Sequence, residues 1–304
     1  MLQGLPDSLD ALMNWSWEDI APFHTALLGR PLDETNVVEW LNDWDAVTAR
    51  IWEVYSRLYV AITVNTADSD AKARFERFIE IVLPQARMAE QKLKEKLLAS
   101  GLEPERYDIF LRNMRAEADL FREANVPLFT AEDKLRNEYD DTVGAQTVTW
   151  NGAERTIAQM KPVQFEEDRA MRERAWRLVA ERQLADREAL NALWKRFLPL
   201  RREIAANADV ADYREYMWRD KQRFDYSIED ALQFHEAIKA TVVPAAERIY
   251  ERRRQRLGVD TLRPWDLLVD VANRPPLKPF TDVSTLIQTT GRIFHQVDAA
   301  LGGD

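Results

Sequence analysis

At 304 residues the chain can bury a large core, and a composition of 46% hydrophobic and 31% charged residues with only 9 glycines is that of an ordered, helix-rich globular protein. A formal charge of -10 argues against a nucleic-acid partner, because binding to phosphates requires a concentrated basic face. Zero cysteines exclude disulfides, thiolate metal sites and a cysteine nucleophile and fit a cytoplasmic protein, and no apolar run approaches the roughly 18 residues a membrane span needs.

Residues 1–19 have no basic start followed by an apolar core, so no signal peptide is read there. Ser16 with Asp19 forms a capping box flanked by Trp15 and Ile20, while Pro22 leaves open whether that helix starts at the box and kinks or starts at the proline. Trp44, Val47, Ile51, Val54, Leu58 and Ile62 recur at three- and four-residue steps, the mark of one amphipathic helix face. Phe75, Phe78, Ile79, Val82, Ala86, Ala89, Leu93 and Leu97 make the next stripe, with a kink predicted at Pro84 and a stop at Gly101. A third helix is expected to open at Pro104 and to turn Tyr107, Phe110, Leu111, Met114, Ala118 and Phe121 inward. Thr130 with Asp133 predicts a capped start for a fourth, ending near Gly144.

Thr147 to Trp150, then Asn151-Gly152, then Glu154 to Ile157 predict a β-hairpin, because both turn residues tolerate positive φ. Met171, Ala175, Leu178, Val179, Leu190, Leu193, Phe197, Leu200 and Ile204 keep helical phase over some forty residues. They predict a rod of roughly 55–60 Å, bent at Pro199, serving as a spine. Ser227 with Asp230 starts a helix expected to bury Ala231, His235, Ile238, Val242, Ala245 and Ile249 and to stop at Gly258. Arg252, Arg253, Arg254 and Arg256 read as its solvated C-terminal end, where cations complement the dipole. Val259 to Phe280, with Pro264, Pro275, Pro276 and Pro279, reads as extended and turn-rich. A last helix is expected to bury Val283, Leu286, Ile287, Thr290, Ile293, Phe294 and Val297. The class that results is all-α: a multi-helix array with one long central helix and a small β-hairpin near residues 147–157. Three consecutive regions are drawn, at 1–145, 146–206 and 207–304.

Little catalytic chemistry is legible. A zinc hydrolase needs two imidazoles one helical turn apart with a glutamate beside the first. His24, His235 and His295 are followed four residues later by Leu28, Lys239 and Ala299, so none forms the pair. Ala21, Leu232 and Arg292 stand three residues before the histidines, which removes a di-iron Glu-x-x-His arrangement. No nucleophile elbow, P-loop or dinucleotide turn occurs. No catalytic residue, metal ligand or cofactor is therefore assigned to this chain. Trp15, Trp40, Trp44, Trp52, Trp176 and Trp194 fall mostly in helical phase and read as core. Tyr213, Tyr216, Trp218, Phe224 and Tyr226 cluster between two helices. Tyr213, Tyr216 and Tyr226, with His235 on the following helix, are the candidates for lining a peptide groove; hinge packing is the alternative.

The order of these elements resembles the oligoendopeptidase F group of the M3 zinc metallopeptidases. Gly144 through Gly152, then Asp168-Arg169, Arg172 and Ala175, resemble that group's hairpin and helix entry. Asn207 through Tyr213 is similar to its Asn-Ala-Gly-Phe-Ala-Asp-Tyr-like turn, with Asp209 where glycine is expected. Phe224-Asp225-Tyr226-Ser227 through Pro244, and Leu257-Gly258 to Trp265-Asp266, follow in register. The resemblance implies a mostly helical, two-lobed peptidase with a channel for short peptides, of which this chain supplies the upstream lobe and, from residue 207, the start of the catalytic lobe without its zinc motif. Zinc is implied for a full-length member, whose His-Glu-x-x-His helix lies downstream of the segment resembled here. The expected function is thus the non-catalytic portion of an oligopeptide-hydrolysing zinc peptidase, inactive alone. The alternative is a stand-alone helical peptide-binding or scaffold protein derived from that family. Expected partners are oligopeptides or the missing catalytic segment, with self-association where an apolar docking face is left open.

Overall fold

The computed structural model describes residues 4–6, 8–272, 274–275 and 277–302. In chain order the helices are α1 (Leu9–Met13), α2 (Trp17–Gly29), α3 (Val37–Val64), α4 (Ser69–Arg77), α5 (Leu83–Ser100), α6 (Asp108–Leu120) and α7 (Val126–Gly144). A hairpin of β1 (Thr147–Trp150) and β2 (Ala153–Thr156) follows, then α8 (Ile157–Met160), α9 (Arg169–Ala185), α10 (Arg187–Asn207), α11 (Tyr213–Asp220), α12 (Ile228–Leu257) and α13 (Val283–Val297). The fold is all-α but for that hairpin. Its compact units are drawn differently from the consecutive regions 1–145, 146–206 and 207–304. One comprises Met1–Gln146 and Gln183–Ala240, the other Thr147–Arg182 and Thr241–Asp304.

In the first unit α2 starts at the Ser16 box, with the Asp19 carboxylate accepting the Ser16 N–H at 3.0 Å, and Pro22 is accommodated inside the helix. The α3 stripe is buried from Val37 to Ile62 as its period demands. Trp40 is fully buried there, and its indole N–H donates to the Leu27 carbonyl at 2.9 Å, tying α3 to α2. Between α4 and α5 lies a π-helical turn, Phe78–Val82, in which the Leu83 N–H reaches back to the Phe78 carbonyl. The irregularity expected at Pro84 is therefore an expanded turn just before it, which re-phases the helix where proline has no N–H to offer. Gly101, at φ 67°, ends α5.

Two predicted starts are corrected. The helix expected at Pro104 begins at Asp108, because Arg106 adopts φ 73° and breaks the intervening turn. The box expected at Thr130 and Asp133 is not a start, since α7 already begins at Val126 with Pro127 in its first turn. The Thr130 hydroxyl instead donates to the Ile79 carbonyl at 3.3 Å, and Asp133 is buried.

The rod predicted from Met171 to Ile204 is two helices, α9 and α10, parted at Asp186, whose φ of -91° and ψ of 4° leave the helical well. Pro199 lies inside α10. The longest described helices are α12, with 30 residues, and α3, with 28. A small core joins Leu120, Ile204, Ala205, Ala208, Val210 and Tyr216, and another joins Leu135, Leu193 and Phe197.

In the second unit β1 and β2 pair antiparallel from Thr147 with Thr156 to Trp150 with Ala153, through Asn151 at φ 51° and Gly152 at φ 81°. Val148, Met160 and Ala175 form its core with Trp150, Leu178 and Val179. Arg253 and Arg254 do not form a merely solvated helix end: Arg253 donates to the Asp266 carbonyl at 2.7 Å and to the Val269 carbonyl, and Arg254 to the Val259 carbonyl at 2.9 Å.

The faces expected to be buried on α12 and α13 are also corrected, as neither helix has a buried residue. Val242 and Ile249 are 53% and 55% exposed, and Val283, Ile287 and Val297 are 70%, 66% and 74% exposed. Periodicity marks such a face as apolar; no described element covers it.

Candidate functional site

The Asn207 to Tyr213 turn sets the aromatic cluster. Asp209 closes α10 in the left-handed region at φ 57°, with the Val210 N–H returning to the Ala205 carbonyl at 3.2 Å. The turn thus keeps the backbone that glycine would favour, at a cost that aspartate tolerates better than most residues. Asp212 then caps α11, accepting the Glu215 N–H at 2.8 Å. That start places Tyr213 and Tyr216 one turn apart, and their rings stack with centroids 5.8 Å apart and planes at 9°.

Neither ring stands free. Tyr216 is buried in the α10 and α11 core, and the Tyr213 hydroxyl lies 3.4 Å from Glu132 Oε1 on α7. Glu132 also accepts from Arg201 at 3.0 Å, and Arg136 lies 3.3 Å away. The Arg201 guanidinium covers the rings of Phe197 and Tyr213 at 4.7 and 5.2 Å. Arg87 from α5, 5.1 Å over Phe129, is ion-paired with Asp133 at 3.7 Å. Burial pushes the Asp133 carboxyl upward, with Arg87 and Arg136 opposing. Burial, reinforced by Glu132, pushes Tyr213 up to about 12, and burial with Asp220 pushes Tyr216 higher still. Near neutral pH both hydroxyls are therefore protonated donors and cannot serve as bases.

Tyr226 lies apart from this network. Its ring meets that of Trp218 edge-on at 5.1 Å, and the Trp218 indole N–H donates to its carbonyl at 3.1 Å. Phe224 carries the Arg112 guanidinium at 4.5 Å. His235, expected to pack in a core or groove, is exposed on α12 and makes no hydrogen bond, ion pair or ring contact among the described residues. The structure thus brings Tyr213 and Tyr216 together and leaves Tyr226 and His235 on exposed surface.

The residues that carried the family resemblance in the second unit do something else. Asp266, fully buried, accepts two hydrogen bonds from Arg169, both at 2.9 Å, and one from Arg172 at 3.3 Å. Arg172, itself buried, spends its other donors on the carbonyls of Trp265, Glu166 and Glu167 at 2.8, 2.8 and 2.9 Å. Burial alone would raise the Asp266 pKa, but hydrogen bonds from Arg169, the Arg263 N–H and Arg172 prevail and hold it below the usual carboxylate range. This clasp closes the proline-rich stretch onto α9. It was missed because charges on a helix usually mark a solvated face, and 97 residues separate Arg169 from Asp266.

No group of three His, Cys, Asp or Glu side chains among the described residues lies close enough to hold a metal ion. His24 is buried in the first unit, where burial lowers its pKa, and His235 stands exposed on another helix. Among the described residues no set of side chains fits a catalytic zinc. No described helix is long and apolar enough to cross a membrane.

Residues 163–297, which include both halves of the clasp, match the model of peptidase family M3. Over those residues the chain is similar to peptidase family M3. No curated protein matches it. Its fold is similar to that of a structure assigned as an oligoendopeptidase F, at TM-score 0.85 and 19% identity over 95% of this chain and 52% of that one. It is likewise similar to one so assigned from Bacillus anthracis str. Ames, at TM-score 0.80 and 18% identity over 94% and 54%. PZ peptidase A, solved with an inhibitor, gives TM-score 0.85 and 22% identity over 99% and 53%. The chain therefore spans about half the length of these structures.

Proposed function

We propose that this chain is the upstream, non-catalytic portion of an oligoendopeptidase F-like zinc peptidase that hydrolyses oligopeptides, and that it has no peptidase activity alone. The observation that carries the proposal is the pair of apolar faces on α12 and α13, without one buried residue, in a chain whose fold overlays about half of each longer peptidase-like structure. A face of that kind is covered by another segment or drives association. In this reading the remaining segment covers those helices and brings the zinc ligands. Tyr226 and His235, both exposed, are the groove-lining candidates free to meet a peptide, while Tyr213 and Tyr216 are taken up by packing. The protein works in the cytoplasm.

The decisive test is the reading frame after codon 304: the expected result is continuation into a His-Glu-x-x-His motif. An immediate stop codon would overturn the proposal in favour of a stand-alone peptide-binding or scaffold protein. At the protein level the purified chain is expected to retain less than stoichiometric zinc after dialysis and to leave a quenched fluorescent oligopeptide intact. Cleavage that a chelator abolishes would sink the inactive assignment.

A further inference from the structure

We infer that a cavity in the first unit, walled by α3, α5 and α6, binds an organic ammonium ion carried on an apolar stem. The cavity encloses about 480 Å³, within the roughly 300–1,000 Å³ typical of small-molecule sites. Apolar walls come from Trp44, Trp52, Tyr107, Phe110 and Met114. Trp52 and Phe110 remain 47% and 41% exposed, so aromatic surface is available to a ligand instead of being consumed by the core.

The polar lining has one sign to spare. Asp45, Glu90 and Glu117 contribute carboxylates, and Lys94 is the cation among the lining residues. Lys94 is already taken, its ammonium 2.5 Å from Glu117, whose other oxygen accepts from Gln222 at 2.8 Å. Glu90 is different. One of its oxygens accepts the Thr48 hydroxyl at 2.9 Å, and the other has no hydrogen-bond or ion-pair partner among the described residues, although Glu90 lies in the cavity wall. Glu90 is half-buried and this second oxygen stays open to solvent in the cavity, so an entering donor can take the place of water there. An ammonium group supplies donors and charge, and the surrounding rings attract a cation through their faces. A neutral ligand would leave the acidic excess uncompensated, and an anion would be repelled.

Burial raises the Glu90 pKa; Thr48, Lys94 and Arg87 oppose the shift and Glu117 reinforces it. A cation seated beside Glu90 draws it towards the ionised form, so binding should release protons and tighten as pH rises through the raised pKa. This inference stands independently of the peptidase assignment, since the cavity belongs wholly to the first unit.

The test is calorimetric titration of the full chain with 2-phenylethylammonium, with its neutral analogue 2-phenylethanol, and with a short acetylated peptide bearing one lysine. Saturable binding of the amine, at least about tenfold tighter than the alcohol, is expected from a charge-assisted hydrogen bond with cation–π support. Tighter binding of the lysine peptide than of the free amine would identify a protein or peptide source for the ammonium; the reverse would identify a small metabolite. Glu90→Gln should remove the preference for amine over alcohol. Trp52→Ala, at a surface wall position that the fold tolerates, should weaken the amine about fivefold and covers the case in which Glu90→Gln fails to fold. Equal binding of amine and alcohol, absence of saturation by either ammonium ligand at millimolar concentration, or unchanged affinity in Trp52→Ala would overturn the inference.

Discussion

Replacing Asp266 by asparagine isolates the worth of the clasp, because the side chain keeps its shape and loses its charge. Two partners respond differently. Arg169 is 42% exposed, so water takes over its solvation and its loss amounts to no more than about 1 kcal/mol. The Arg172 side chain is 3% exposed and cannot be rehydrated without opening the packing around Trp265. Removing one member of a buried ion pair costs about 3–5 kcal/mol when the other charge is left bare. Here three backbone carbonyls still accept from Arg172, which lowers the expected total to about 2–3 kcal/mol. Urea unfolding followed by tryptophan fluorescence would report it, since Trp265 and Trp176 lie in ring contact within the affected unit. The pH dependence supplies an independent sign. The folded Asp266 carboxyl sits below its usual range, so its stabilisation is present above the ordinary carboxylate pKa of about 4 and disappears as pH falls through the folded value. The gap between the parent chain and Asp266→Asn should therefore be widest near neutrality and close in acid. A loss below about 0.5 kcal/mol at pH 7, or a gap constant down to the acid transition, would refute the assignment of the clasp as a stabilising element.

Three further substitutions test the turn and the aromatic pair. Asp209→Gly should stabilise the chain by up to about 1 kcal/mol in urea unfolding, because φ 57° suits glycine and the ion pair with Arg122 that it removes is a surface pair at 3.3 Å; destabilisation would show that this ion pair outweighs the backbone strain. Tyr213→Phe should cost less than about 1 kcal/mol, since its hydrogen bond is long at 3.4 Å, whereas Tyr216→Ala should cost about 3–5 kcal/mol by emptying a buried site, so comparable losses for the two would contradict the packing described.

Much of the local architecture was legible because its causes are local. Val47, Ile51, Val54 and Leu58 declare a helix through spacing alone, Asn151-Gly152 declares a hairpin through backbone tolerance, and Ser16 with Asp19 declares a cap through hydrogen bonds three residues long. The starts at Pro104 and Thr130 failed where neighbouring residues compete, at Arg106 in the left-handed region and at Pro127 one turn upstream. The candidate site was half visible. The tyrosine cluster could be seen as aromatic, but Glu132 and Arg201, 69 residues apart, carry no mark of partnership in a chain so rich in charge.

What the sequence determined by itself was class and punctuation: which stretches are helical, where one hairpin turns, and that no two histidines stand a helical turn apart. Tertiary structure alone decided which apolar faces are covered. The stripes of α3 and α13 are both apolar and both helical in period, yet one is buried and the other is bare. Periodicity is a property of a single segment, whereas burial and ion pairing are properties of two, and the second partner stands too far along the chain to be read.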